Sequence, residues 1–264
     1  MYPPRNFRCF PLKGHLVCGM ARPTKSQNPE CGANNETVQE SAYSIMKAAR
    51  KWASIERQRF KLKQKSYRLV SFDKEHLTEI HNAAKAEGMR HIVFLVKDFE
   101  APKLDQLQAF TKMVLNFDQH DKHWLLHCAG GMGRTGLFLI ALMTRVFWDD
   151  GSFYFRSKAS PDKMEPYEEG AKNRKKYKNW FDPVEEAIRF VQYYYHPAAG
   201  ELIHVDFNFP ALALFVSRLS PPKGAQYGVF PSPQAFSTRI WERRENMLNG
   251  YYAFCKAAGG GKEC

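Results

Sequence analysis

The chain lacks the long apolar run that a membrane span requires. Nowhere in its 264 residues does a segment approach the roughly 18 uncharged apolar residues of a transmembrane helix. The opening residues, MYPPRNFRCFPLKGH, hold prolines and charges where a secretory signal peptide would have an apolar core. The sequence therefore predicts a cytoplasmic protein without stable membrane insertion, and export by a specialised secretion system stays an open alternative.

Cysteines are few, and they are scattered along the chain. None of the six forms a C-x-x-C pair or groups with histidine at metal-ligand spacing. The pattern indicates neither a disulfide scaffold nor a zinc site. A reducing compartment fits this cysteine usage best.

Acidic residues are outnumbered, with 27 Asp and Glu against 39 Lys and Arg, which gives a formal net charge of +12. This balance favours an anionic partner, such as a phosphorylated protein, a nucleic acid or a phosphoinositide. The densest basic stretch, residues 47–68, holds nine Lys or Arg and one Glu. We interpret it first as a solvated face, because no aromatic stacking platform for nucleic acid accompanies it.

Strand-like and helical patterns alternate through the first half of the chain. Each of three β-rich runs is followed by an amphipathic or apolar helical pattern. The three runs are residues 67–72, 91–96 and 124–127. This alternation predicts an α/β fold with a mostly parallel central sheet flanked by helices. Asp73 is expected to cap the helix that follows the first run, and Gly88 to end it.

The distribution of polar and helical segments predicts two parts. A catalytic domain is expected at residues 1–222, interrupted by a polar inserted loop at residues 149–180. A helical extension with a flexible, glycine-rich tail is expected at residues 223–264, because proline opens its helical pattern and three consecutive glycines lie near its end.

One short segment, LLHCAGGMGRTGLFLI, places Cys128 and three glycines between a buried strand and an apolar helix. A free thiol with a pKa near 8.5 is mostly protonated at neutral pH and is then a poor nucleophile. Backbone N–H groups at a helix start stabilise a thiolate and bind a phosphate dianion. Glycines allow such a loop to turn tightly with its N–H groups inward. The predicted substrate-binding loop comprises Ala129, Gly130, Gly131, Met132, Gly133 and Arg134.

Three neighbours of Cys128 are expected to support it. The planar guanidinium of Arg134 can hold two phosphate oxygens at once, and its charge favours the thiolate. Thr135 is expected to hydrogen-bond the sulfur and to ease its departure from an intermediate. His127 is expected to hold the loop through hydrogen bonds rather than to act as a base.

The segment HCAGGMGRTG resembles the H-C-x-x-G-x-G-R-[TS]-G signature of the cysteine-dependent protein tyrosine phosphatase superfamily. A nucleotide-binding loop is disfavoured, because the motif G-x-x-x-x-G-K-[ST] is absent and this loop holds no lysine. The resemblance implies hydrolysis of a phosphomonoester through a cysteinyl-phosphate intermediate. Neither a metal nor another cofactor is expected, because arginine and amide dipoles supply the stabilising charge.

The segment DFEAP resembles the D-F-x-x-P element of the dual-specificity branch, especially its small atypical members. By that resemblance Asp98 is the general acid that protonates the leaving group. Glu100 and Asp105 are competing carboxylates, and helix capping is the alternative role for Asp98. The same resemblance would place Arg22 near the rim of the pocket, although a solvated loop arginine is the simpler interpretation.

Three functions remain open at this stage. The leading one is a protein tyrosine or dual-specificity phosphatase acting on phosphotyrosine, with phosphoserine and phosphothreonine as further substrates. The second is a phosphatase of phosphoinositides or of RNA 5′ ends, suggested by the basic segment 47–68. The third is a phosphate-binding adaptor that has lost turnover.

Overall fold

The structure is a computed structural model, and the residues that it describes divide into two compact units. The described ranges are 2–24, 37–97, 100–116, 122–150, 152–153, 175–177, 179–195, 208–220 and 227–242. The first unit comprises residues 1–139 and 191–204, and the second comprises residues 140–190 and 205–264.

A five-stranded sheet forms the centre of the first unit, with strand order β1-β2-β5-β3-β4. Its strands are β1 (Arg8–Leu12), β2 (His15–Ala21), β3 (Ser66–Ser71), β4 (Arg90–Val93) and β5 (Lys122–Cys128). The β1–β2 hairpin is antiparallel, whereas β2, β5, β3 and β4 pair in parallel. Cys128 therefore ends the central strand of the sheet, at the edge where parallel strands present their carboxyl ends.

Helices pack on both faces of this sheet. They are α1 (Val38–Arg59), α2 (Leu77–Ala86), α3 (Leu104–Leu115) and the first part of α4 (Gly133–Asp150). On one face, Met46 of α1 and Ile80 of α2 pack with Leu125 of β5 in a fully buried core. On the other face, the Phe72 ring stacks on the Phe138 ring of α4 at 4.1 Å between centroids. The predicted α/β fold with a mostly parallel sheet is confirmed.

The second unit is helical and rich in aromatic residues. It contains the rest of α4, α5 (Asp182–Tyr194) up to residue 190, α6 (Asn208–Ser217) and a helix at residues 233–242. The indole N–H of Trp148 donates to the Ser220 carbonyl at 2.6 Å, and the Trp148 and Trp180 rings stack at 5.2 Å. A short antiparallel pair, β6 (Ser152–Phe153) and β7 (Lys175–Lys176), lies within the predicted insertion.

Two expectations from the sequence are wrong. Asp73 does not cap α2; that helix begins after His76, whose φ of 55° lies in the left-handed region and whose side chain makes no capping bond. Cysteines do form a disulfide, because the hairpin register places Cys9 directly opposite Cys18 with their Cα atoms 4.0 Å apart. In contrast, Gly88 follows the end of α2 with a φ of 69°, as predicted.

Other expectations stay predictions. The domain boundary at residue 222 and most of the insertion at 149–180 lie outside the described residues. Within the described parts of the chain, no helix combines the length and the apolar character needed to cross a bilayer.

Candidate active site

The candidate nucleophile lies at the junction of β5 and α4. Cys128 is 2% exposed, and among the described cysteines it is the one outside the disulfide. Residues 129–132 connect it to α4, which begins at Gly133. We call residues 129–133 the glycine loop.

Every carbonyl between Cys128 and the start of α4 accepts a hydrogen bond from a donor outside the turn. Arg22 N–H, at the end of β2, donates to the Ala129 carbonyl at 3.1 Å. Asn6 Nδ2 donates to the Gly130 carbonyl at 2.8 Å. The hydroxyl of Tyr195 donates to the Gly131 carbonyl. The Gly136 N–H of α4 donates to the Met132 carbonyl at 2.8 Å.

These four bonds fix the direction of the loop's amides. In a trans peptide the C=O of one residue and the N–H of the next point in opposite directions, and the described residues contain no cis peptide bond. The N–H groups of residues 130–133 therefore point away from the donors that hold the carbonyls. Together with the N-terminal end of α4, they provide partial positive charge for an anion.

Gly131 allows the loop to approach strand β2. Its φ is +76°, and a Cβ built there would lie 2.6 Å from the Met20 carbonyl oxygen. Real Cβ atoms essentially never come within 3.0 Å of another heavy atom of this kind. Only glycine therefore fits this position without moving the backbone.

Arg134 lies in the first turn of α4 and contacts the segment that leads to Asp98. Its Nη1 donates to the Val96 carbonyl at 2.9 Å. Asp98 itself lies outside the described residues. The neighbouring carboxylates have other partners: Glu100 pairs with Lys97 at 3.1 Å, and Asp105 Oδ1 accepts from the Gln106 N–H at 2.9 Å.

His127 is fully buried next to the nucleophile and is tied to strand β3. Its Nε2 lies in hydrogen-bond contact with the Ser71 hydroxyl, which also contacts His91 Nε2 at 2.6 Å. Burial, and then the charges of His91 and Arg22, lower the pKa of His127 to about 3. The ring is therefore neutral at physiological pH, which suits a positioning role.

Tyr195 was not singled out from the sequence, although it lies next to the loop. The residue is 2% exposed, and its ring occupies the space beside Gly19 where any side chain would overlap it. Burial, and then the charge of Cys128, raise the pKa of Tyr195 well above its ordinary value, while a hydrogen bond with Thr135 opposes the rise. Its phenol stays protonated and remains a hydrogen-bond donor.

Arg22 and Asp73 form a second feature that sequence reasoning missed. The Arg22 side chain is 11% exposed and lies 3.6 Å from the Asp73 carboxylate, with a further contact to Glu75. The interpretation of Arg22 as a solvated loop residue is therefore wrong. Burial raises the pKa of Asp73, against the opposing charges of Arg22 and Arg134. The only signal for Asp73 in the sequence was its position as a polar residue directly after the β-rich run 67–72.

The arrangement places a buried sulfur beside a loop whose carbonyls are held by other donors. The glycine loop follows Cys128 directly, Arg134 lies at the start of the following helix, and no lysine occupies the loop. The predicted residues His127 to Thr135 are brought together in space.

Residues 45–146 match the family model described as Tc-R-P, a DSP-PTPase phosphatase of polymorphic toxin systems. No curated protein matches the chain.

Several solved structures are similar at low sequence identity. Tk-PTP in its active form is 15% identical, with 77% of this chain and 92% of that chain covered and a TM-score of 0.43. PTPMT1 in complex with PI(5)P is 11% identical, with 89% and 98% covered and a TM-score of 0.42. The catalytic core of the PP-IP phosphatase SIW14 from S. cerevisiae is 20% identical, with 55% and 70% covered and a TM-score of 0.33.

Proposed function

We propose, from the match of residues 45–146 to a DSP-PTPase phosphatase family model, that this protein hydrolyses phosphotyrosine in protein substrates. Phosphoserine and phosphothreonine are proposed as further substrates. The observation that carries the proposal is that four successive loop carbonyls accept hydrogen bonds from other donors, because this turns the following amide N–H groups away from those donors.

In the first proposed step, the Cys128 thiolate attacks the phosphorus of the bound monoester. A bond forms between sulfur and phosphorus, and the bond from phosphorus to the leaving oxygen breaks. The amides of the glycine loop and the Arg134 guanidinium hold the equatorial oxygens as charge develops on them. Asp98 gives its proton to the leaving phenolate or alkoxide.

In the second step, water attacks the cysteinyl phosphate. Asp98, now a carboxylate, accepts a proton from that water, and the sulfur leaves as a thiolate that Thr135 is proposed to stabilise. The bond between Arg134 and the Val96 carbonyl supports this assignment, because it ties the phosphate-binding arginine to the backbone two residues before Asp98.

The position of the basic segment supports a protein substrate over a highly charged one. Ser66 pairs with Lys122 at the start of β5, whereas Cys128 ends that strand. The six residue steps of β5 from Lys122 to Cys128 span about 20 Å. The end of the basic segment at Ser66 is therefore not at the glycine loop.

The central experiment compares the wild-type protein with Cys128→Ser on three substrates: a phosphotyrosine peptide, a phosphoinositide and a 5′-triphosphorylated RNA. We expect the peptide to have the highest kcat/KM and the serine variant to be inactive on all three. A wild-type protein that binds the peptide without turnover would favour the adaptor hypothesis, and preference for either other substrate would refute the proposed specificity.

The proposed acid is tested by Asp98→Asn, which should lower kcat by about 10²- to 10⁴-fold. Glu100→Gln is the matched control, because that exposed carboxylate pairs with Lys97 and should tolerate the change. Asp73→Asn distinguishes the buried carboxylate of the Arg22 pair. The pH profile of kcat identifies the acid, because loss of the general acid removes the fall in kcat at high pH. If Asp73→Asn removes that fall and Asp98→Asn does not, the assignment of Asp98 is wrong.

A further inference from the structure

A cavity lies at the end of the sheet opposite the glycine loop. Its volume is about 420 Å³, and it lies between α1, the end of α2 and the start of β3. The residues that define its chemistry are Arg50, Arg57, Lys65, Tyr67 and Glu87. We call it the α1 basic pocket.

Three cations and one carboxylate line this pocket. The single carboxylate, Glu87, is paired with Arg50 at 3.4 Å, and Arg57 adds a guanidinium beyond that pair. A shallow hollow of about 410 Å³ continues the pocket along α1 and adds Lys47 and Lys51. The two concavities share Arg50, Ser54 and Glu87 and form one continuous surface.

The two guanidinium groups are held in place by backbone carbonyls. Arg50 Nη1 donates to the Glu87 carbonyl at 2.7 Å, and Arg57 Nη1 donates to the Leu62 carbonyl at 3.0 Å. A guanidinium carries five N–H donors, so each of these bonds leaves others to bind a ligand. Such preorganised arginines lose less side-chain entropy on binding than mobile lysines do.

The cations of the pocket also act on the side chains of Tyr67 and His123. Burial raises the pKa of Tyr67, and the nearby charges of Arg57 and Arg50 oppose that rise. Burial also lowers the pKa of His123 to about 4, and the charges of Lys65 and Arg57 contribute to that shift. Both rings therefore lie within reach of the same cluster of cations.

We propose that the α1 basic pocket binds a compact ligand carrying two or more phosphate groups, at a site separate from the glycine loop. Its volume lies in the range of small-molecule sites, and arginine forks match phosphate oxygens. A single-stranded nucleic acid fits less well, because the pocket is concave and its one aromatic residue, Tyr67, is half-buried.

The experiment is calorimetric titration of the wild-type protein with inorganic tripolyphosphate, with and without saturating orthovanadate. Vanadate is expected to occupy the glycine loop, so the α1 basic pocket should appear as a vanadate-resistant site. Its affinity should fall steeply with added salt. ATP and a 12-nucleotide RNA are the comparison ligands that distinguish a small polyphosphate from a nucleic acid.

Substitution of Arg57→Gln should weaken vanadate-resistant binding by at least about tenfold, the loss expected for a charged hydrogen bond. Lys47→Gln combined with Lys51→Gln perturbs no backbone contact and should weaken it by a smaller factor. Lys112→Gln, an exposed charge on α3, is the matched control and should change nothing.

Three outcomes would overturn the proposal. They are a single vanadate-sensitive site, unchanged binding in all the α1 variants with the fold retained, and tighter binding of the RNA than of tripolyphosphate. None of these depends on turnover, so the proposed phosphatase activity stands or fails separately.

Discussion

Substitution of Gly131 by alanine tests whether close backbone approach shapes the glycine loop. Gly131 and Gly14 have nearly the same left-handed conformation, with φ of +76° and +77°, but no atom lies within 4 Å of a Cβ built at Gly14. Gly14→Ala therefore isolates the cost of the backbone conformation, which is about 1 to 2 kcal/mol for an L-residue.

At Gly131 the free-energy cost of steric overlap with strand β2 is added to the cost of the backbone conformation. A Cβ there lies 2.5 Å from the Ala21 backbone nitrogen and still closer to the Met20 carbonyl carbon, so about 1 Å of movement is needed to restore a 3.4 Å contact. Overpacking of this kind costs about 1 to 3 kcal/mol more. A misplacement near 1 Å in a catalytic loop lowers the rate by about 10²-fold.

Urea unfolding and turnover of p-nitrophenyl phosphate measure the two effects. We expect Gly14→Ala to lose about 1 to 2 kcal/mol with normal turnover, whereas Gly131→Ala should lose about 2 to 5 kcal/mol and most of its activity. Equal destabilisation of the two variants, with turnover retained in Gly131→Ala, would refute the reasoning.

Two further predictions concern buried polar groups of the first unit. Because the pKa values of His123 and His127 fall to about 4 and about 3 on folding, the unfolded chain binds more protons below pH 6.5. The free energy of unfolding should therefore drop by about 2 kcal/mol per histidine from pH 7 to pH 5. Urea unfolding at the two pH values measures this drop, and a midpoint as high at pH 5 as at pH 7 would contradict the prediction. Tyr195→Phe removes the hydroxyl that donates to the Gly131 carbonyl and should lower kcat about tenfold. The control is Tyr43→Phe on the exposed side of α1, which should leave kcat unchanged. Equal kcat in the two variants would argue against a positioning role for Tyr195.

The sequence predicted the parallel part of the sheet and the turn after Cys128 because both depend on local pattern. The β-rich run before Cys128 becomes the central strand β5, and the glycines after it form the turn into α4. Alternation of strand and helix was sufficient for the order of elements in this half of the chain.

The partners that shape the glycine loop were missed because they come from distant segments. Asn6 is 124 residues from Gly130, and Tyr195 is 64 residues from Gly131. No periodicity or motif links such pairs. The start of α1 was a missed local signal: Thr37-Val38-Gln39-Glu40 is a capping box, with the Thr37 N–H bonded to Glu40 Oε2 at 2.7 Å.

The disulfide shows a second limit of sequence pattern. Cys9 and Cys18 are nine residues apart, a spacing that indicates nothing by itself. Only the register of the β1–β2 hairpin makes them opposite neighbours. A one-residue change in that register would direct the two side chains to different faces of the sheet.

The distribution of charge in the first unit separates recognition at the glycine loop from recognition at the α1 basic pocket. At the loop, the charges of Arg22 and Arg134 lie near those of Asp73 and Glu75, so the charged side chains nearly cancel. In the proposed function, a phosphate dianion there is held chiefly by the loop amides and by the fork of Arg134. At the far end of the sheet, Arg50, Arg57 and Lys65 face one carboxylate. The net charge of the chain therefore says little about the substrate of Cys128, because much of the excess near the sheet lies about 20 Å away from it.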